Sequence, residues 1–264
     1  MNKNLSKKAF IDILNGFYSH RIWLNLALLE FKQRYRRSVL GPFWITISTG
    51  VLVLGMGPIY GKIFNENLGV YYRYLGIGII TWTLISGFIN EVCSIYIESE
   101  GLIKQVKLPY ATYIAKLLFK HLILFAHNFI IVLLILAIFP PPNFWGMPIA
   151  ILGVLLVMLN LAWMGFLLAT ICARFRDVPL IVSSGVQVLF FLTPVIWNVD
   201  SLGSKKYLIV FNPFYSLIEI IRAPLSGSEL LAINWVVSII FFLVGSIAAF
   251  FVYARCRSRI SYWV

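Results

Sequence analysis

Residues 121–173 read HLILFAHNFIIVLLILAIFPPPNFWGMPIAILGVLLVMLNLAWMGFLLATICA, 53 positions between Lys120 and Arg174 without one Asp, Glu, Lys or Arg. A helix rising 1.5 Å per residue crosses a hydrocarbon layer of about 30 Å in about 20 residues, so this stretch is too long for one crossing. Pro140-Pro141-Pro142-Asn143 falls inside it. Proline lacks an N–H and breaks a helix interior, so the run reads as a turn between two crossing helices.

Working outward, further uncharged runs cover Ser38–Gly61, the 17 residues between Arg73 and Glu91, Val178–Val199 and Leu230–Ala254. The reading is an all-α polytopic membrane protein with six spans, at about 39–62, 73–97, 111–139, 147–171, 178–197 and 230–254. Composition agrees: the 264 residues are 60% hydrophobic and 12% charged, against about 25% charged in soluble domains. The mean hydropathy of +0.88 argues against a soluble enzyme. Residues 1–37 form an N-terminal cytoplasmic region, 38–254 the transmembrane domain and 255–264 a cytoplasmic tail.

The net charge is +12. In so apolar a chain this reflects positive residues collecting in cytoplasmic loops, and no nucleic-acid partner is expected. Fifteen basic residues fall in 1–40, 98–110, 172–177 and the tail; five fall on the other side. Lys116 and Lys120 lie just inside the third span. Both termini are then cytoplasmic. The start, MNKNLSKKAF, leads into no apolar core, so no cleaved signal peptide is expected. Cys93, Cys172 and Cys256 are scattered and suggest neither a disulfide framework nor a metal cluster.

Too many charges fall in 17–37 for a span. Phe17, Leu24, Leu28, Phe31 and Tyr35 share one helical stripe, with Glu30, Gln33, Arg34 and Arg37 on the far side. This predicts an amphipathic helix on the cytoplasmic membrane surface, either docking a partner or anchoring to anionic lipid. Tyr207–Leu225 is too apolar for an exterior loop and is interrupted by Pro213 and Pro224. It predicts a re-entrant hairpin on the outer side. Thr193-Pro194 should break or kink the fifth span.

No phosphate-binding GxxxxGK[ST] loop occurs, nor HExxH, CxxC or GxSxG. His121 and His127 are six residues apart, on different faces of one helix. Glu91 has only Ser94 as a polar neighbour one turn away, so an ionic partner must come from another helix. A proton relay with His121 or His127, and a structural hydrogen bond, both remain open. Arg34, Arg36 and Arg37 precede the first span, and Arg174 and Arg176 end the fourth. Guanidinium groups bind phosphate through paired hydrogen bonds; the alternative is plain inner-side charge bias. Phe43, Trp44, Tyr71, Tyr72, Tyr74, Trp145, Trp197, Tyr253 and Trp263 fall near interfaces as belt aromatics.

Several stretches together resemble the membrane subunits of ABC-2 type polysaccharide exporters, particularly O-antigen and capsule permeases. They are Arg34–Trp44 (RYRRSVLGPFW), Glu100–Pro109 (EGLIKQVKLP), Ala173–Val178 (ARFRDV), Leu192–Trp197 (LTPVIW) and Asn212-Pro213-Phe214. The resemblance covers roughly 17–257. It implies a non-enzymatic channel subunit acting as a homodimer with two ATP-binding cassette subunits, which bind the ATP and Mg; this chain then has no cofactor. It implies export of an undecaprenyl-diphosphate-linked polysaccharide across the bacterial inner membrane. The surface helix and Glu100, Gly101, Leu102, Ile103, Lys104, Leu108 and Pro109 would receive the ATPase's motion, with Gly101 allowing a tight turn and Pro109 opening the third span. Arg34, Arg36, Arg37, Arg174 and Arg176 would meet the lipid pyrophosphate. Thr193, Pro194, Trp197, Asn212 and Pro213 would belong to an outer gate. Capsule and teichoic acid exporters share this pattern. The rivals are a proton-coupled transporter built on Glu91, His121 and His127, and a membrane-embedded transferase.

Overall fold

The computed structural model describes residues 3–34, 36, 41, 43–142, 146–199, 203, 209 and 211–264. All regular structure among them is helical. In order these are α1 (Lys3–Tyr18), α2 (His20–Arg34), α3 (Phe43–Ile63), α4 (Leu68–Val92), α5 (Ile95–Glu98), α6 (Glu100–Gln105), α7 (Tyr110–Ile138), α8 (Gly146–Arg174), α9 (Val178–Leu192), α10 (Pro213–Ser226), α11 (Ala232–Cys256) and, after a short 3-10 turn, α12 (Ile260–Trp263). Among the described residues five helices are long and apolar enough to cross a membrane: α3, α4, α7, α8 and α11 with its continuation to Trp263.

The expected fifth span is a helix of only 15 residues, about 22 Å long. It ends at Thr193, whose φ of −99° and ψ of 133° are extended, because Pro194 disfavours a helical residue before it. The second span also differs from its predicted limits. Asn67 caps it, its side-chain oxygen accepting from Gly69 N at 2.9 Å. Arg73 therefore sits inside the helix, where it donates to the carbonyls of Phe139 and Pro140 at the end of α7.

α4 is the central element: 72% of its apolar window is buried, against 11% for α3. It packs on α3, α7, α8, α9 and α10. The outward faces of α3 and α9 carry Val51, Leu54, Ile59, Leu180, Ile181 and Phe191. In lipid such faces need no partner, because acyl chains are as apolar as Leu.

The segment expected to form a hairpin contains α10, a single helix of 14 residues among the described ones. Its prolines do not interrupt it. Pro213 stands in the first turn, where its missing N–H is not needed. Pro224 lies near the end, one turn before Gly227, which closes the helix at φ 78°. By helix geometry Pro224 leaves the carbonyl of Ile220 without its donor. α8 approaches there through Gly153, where an added Cβ would lie 2.5 Å from Ile220 O. Replacing Gly153 by Val is expected to separate α8 from α10 and lower the thermal midpoint by ~5 °C, in line with overpacking penalties of about 1–3 kcal/mol. An unchanged midpoint in detergent would show that the contact tolerates a side chain.

The N-terminal region is two helices rather than one. The break falls at Ser19, whose hydroxyl bonds Asn15 O at 2.7 Å. α1 packs on α7 and α11, and α2 on α7. The face of α2 turned to the bundle carries Trp23, Ala27, Glu30 and Phe31. Trp23 meets Phe119 edge-on at 5.6 Å, and Phe31 meets His127 at 5.7 Å. Leu28 stays 41% exposed. Glu30, expected on the far side, instead points at α7.

Candidate functional site

Three polar constellations stand out, two near the end of the bundle holding α1, α2 and α6, and one at the opposite end. The first surrounds α6. Glu100 and Lys104 are spaced i,i+4 and pair at 2.6 Å on the surface. The Lys104 ammonium, helped by Arg176, holds the Glu100 carboxyl below its ordinary range. Lys104 also donates to Val264 O at 3.1 Å. Leu102, Ile103 and Leu108 pack inward against the core, which fixes the connector while Glu100, Gly101 and Lys104 face out. Gly101 makes no tight turn; it lies inside α6 with open space beside it. Pro109 is the cap residue and α7 begins at Tyr110.

Arg174 and Arg176 belong to this same constellation. Arg174 lies over the rings of Phe175 and Trp263, and Arg176 donates to Trp263 O at 3.3 Å. Their described contacts are with α12 and its surroundings. α2 ends at Arg34, whose side chain lies outside the described residues, and Arg36 follows the helix. Arg37 lies outside the described residues. A groove of 810 Å3 runs beside α6, lined in part by Lys8, Asp12, Lys104, Lys107, Pro109 and Arg257.

Asp12 is the residue that sequence reasoning missed here. It is buried on α1 and accepts from Ala111 N at 3.3 Å, Tyr253 OH at 2.5 Å and Arg257 Nη2 at 2.6 Å. One carboxylate thus ties α1 to the start of α7 and the end of α11. Tyr253 is fully buried, a core residue rather than a belt aromatic. Its partner lies 241 positions away, and no local pattern announces such a pair.

The second constellation lies between α2, α4 and α7. Lys116 and Lys120 on α7 are both buried. Lys116 pairs with Glu30 of α2, and Lys120 with Glu91 of α4. His121 Nε2 lies 2.9 Å from the second oxygen of Glu91. The ionic partner expected from another helix is therefore Lys120, with His121 beside it. His127 faces elsewhere and bonds Ile123 O in its own helix at 2.8 Å. A buried ammonium inside a span is unfavourable by about 2.5–3.5 kcal/mol on insertion scales, so these lysines require their carboxylates. Ser94 does not reach the Glu91 carboxylate; its hydroxyl contacts Glu98 Oε1 at 2.5 Å. Two cavities flank the pairs, of 520 Å3 and 360 Å3. The larger is lined by Asn128, whose buried Oδ1 has no partner among the described residues.

The third constellation joins all five residues expected at an outer gate. After α9 the chain runs non-helically through 193–197, and its carbonyls need donors. Tyr71 OH donates to Ile196 O at 2.9 Å, and Tyr74 OH to Pro194 O at 3.1 Å and Trp197 O at 2.8 Å. Arg222 of α10 donates to Pro194 O at 2.8 Å. Asn212 caps α10 ahead of Pro213 by accepting from Phe214 N and Tyr215 N, and donates to Thr193 Oγ1 at 3.0 Å. Trp197 Nε1 reaches back to Phe191 O at 3.1 Å. Arg222 is buried against Glu219 and over the Tyr74 ring, 3.7 Å from its centroid. The one sequence signal for it was the i,i+3 spacing of Glu219 and Arg222.

Cys93 and Cys172 are both buried free thiols, and Cys93 Sγ donates to Ile89 O of α4 at 3.2 Å. Among the described residues no group of three or more His, Cys, Asp or Glu side chains is placed to hold a metal ion.

Residues 23–226 match the ABC-2 type transporter family. The chain is 22% identical over 217 residues to the O-antigen export system permease protein RfbA of Myxococcus xanthus, covering 81% of this chain and 84% of that one. It is 21% identical over 225 residues to the protein of the same description from Klebsiella pneumoniae, covering 82% and 86%.

Proposed function

Because this chain belongs to the ABC-2 type transporter family, we propose that it is the transmembrane subunit of an ATP-driven exporter carrying a lipid-linked polysaccharide, O-antigen in the first instance, across the bacterial inner membrane. The observation that carries this is the family match over 23–226, joined by two O-antigen permease relatives aligned over more than four-fifths of both chains. Capsular polysaccharide and teichoic acid are the alternative cargoes. Two ATP-binding cassette subunits would hold ATP and Mg, and two copies of this chain would enclose the conduit.

In this reading both termini lie in the cytoplasm. α1 and α2 form the interface region, and α6 with the groove beside it receives the ATPase. The basic character of that groove, with Lys8, Lys104, Lys107 and Arg257, supports the assignment. The fifth of six crossings in chain order is α9 extended by the 193–197 segment. α10 is the re-entrant element of the outer gate, and the 1–37, 38–254 and 255–264 division stands as the domain plan. Lipid pyrophosphate would meet Arg34, Arg36 and Arg37 at the inner mouth. Arg174 and Arg176, beside α6, also suit the coupling surface.

The expected result is ATP-dependent movement of polymer by proteoliposomes holding the chain and its ATPase. Replacing Glu100 and Lys104 together by Ala should cut transport per ATP at least tenfold while the complex still assembles. The Glu100–Lys104 pair is exposed, and exposed pairs contribute little to stability. Full export by the doubly substituted complex would remove α6 from the coupling surface. One observation favours a second reading: Glu91 with His121 and Lys120 is a buried, titratable cluster. Transport driven by a proton gradient without nucleotide would establish that reading and sink the first.

A further inference from the structure

Lys116 and Lys120 stand one helical turn apart on α7 and so share a face. Lys120 is held by Glu91, which His121 also engages. Lys116 is held by Glu30 of α2. A third carboxylate, Glu98, lines the same 360 Å3 chamber as both lysines, Glu30 and Glu91. The described partner of Glu98 is the neutral hydroxyl of Ser94. The chamber therefore holds three acids for two lysines.

We propose that Lys116 is a two-position contact, exchanging Glu30 for Glu98 when α2 moves. The inference rests on the exporter function proposed above. Its physical basis is an asymmetry of exposure. The Glu30 side chain is 40% exposed and that of Lys116 only 6%. If α2 withdraws, Glu30 finds water and Lys116 does not, and an uncompensated buried charge is strongly unfavourable. Among the described residues, Glu98 is the acid in that chamber without a cation.

Glu98 ends α5, and only Ser99 separates it from α6. Pairing with Lys116 draws the root of α6 towards α7 as α2 leaves. The two elements assigned to the ATPase thus act in opposition on one ammonium. Discrete alternative pairings are how packed interiors turn small shifts into two states. Glu91 stays with Lys120 and His121 throughout and keeps α4 fixed to α7.

The test uses the full complex of this chain with its ATP-binding subunits in proteoliposomes, reading ATP hydrolysis and polymer transport separately. Glu98→Gln keeps the Glu30 pair and removes the alternative. Assembly and hydrolysis should stay within twofold of the unaltered complex, with transport down at least tenfold. Glu98→Asp should recover most of it. Glu30→Lys with Lys116→Glu restores the first pair in reverse but sets position 116 against Glu98, like against like. That double substitution should assemble and not transport, and adding Glu98→Lys should return transport. A merely structural pair would be satisfied by the double reversal alone. If the unaltered complex does not transport with ATP, the exporter function falls. If it does, and Glu98→Gln or the double reversal transports equally well, the exchange is overturned.

Discussion

Replacing Arg222 by Met is expected to lower the thermal midpoint of the purified protein by ~10 °C. The guanidinium is 1% exposed and makes three kinds of contact. Nε donates to Glu219 Oε1 at 2.8 Å, Nη1 donates to Pro194 O at 2.8 Å, and the cation lies over the Tyr74 ring. Gly78 stands beside it, where an added Cβ would come within 3.2 Å of Nη1. Met fills part of the volume and supplies no donor. Glu219 then keeps a mostly buried negative charge with no cation, and removal of one partner from a buried pair costs about 3–5 kcal/mol. A domain of 150–250 residues shifts about 2–4 °C per kcal/mol. Replacing Glu219 and Arg222 together by Met should be milder than Arg222→Met alone, because no charge is stranded. A single substitution that melts within 2 °C of the unaltered protein would mean the 193–197 segment is held by Tyr71 and Tyr74 without help.

Asp12→Ala is expected to free α1 from the bundle. Arg257, whose side chain is 30% exposed, can turn to water. Tyr253 OH and Ala111 N cannot, since both residues are fully buried. Each orphaned donor costs about 1–3 kcal/mol, and Asp12 is the side chain that hydrogen-bonds α1 to both α7 and α11. Hydrogen exchange read by mass spectrometry should show residues 3–18 losing protection at least tenfold, with α8 unchanged. Asp12→Asn keeps an acceptor, loses the charge opposite Arg257, and should fall between. Unaltered protection of α1 in Asp12→Ala would place its anchor elsewhere, at Ala9 or at the Phe17–Phe166 contact.

Among the site residues, legibility followed how local each signal was. The connector Glu100–Pro109 was marked by its own sequence, but Gly101 proved to be an ordinary helical position, since nothing there demands a positive φ. The residues expected at an outer gate do meet in one network, because Pro194 forces an unwound backbone and Asn212-Pro213 is a strong helix start. Arg174 and Arg176 read as one group with Arg34, Arg36 and Arg37 because all are basic and near span ends. The described contacts of Arg174 and Arg176 set these two beside α6, through Trp263 of α12.

By itself the sequence determined that the chain is helical and apolar enough to cross a membrane several times, and where its two longest helices run. α7 and α8 run 110–138 and 146–174, against 111–139 and 147–171 from the uncharged runs, because exclusion of charge from hydrocarbon acts on each segment alone. Only the tertiary structure decided which charges meet. Glu30 and Lys116 are 86 positions apart, and the stripe on α2 assigned Glu30 to the wrong side. An acid's position on its own helix says nothing of a lysine buried on another, and in a span the need to neutralise that lysine outweighs helix amphipathicity.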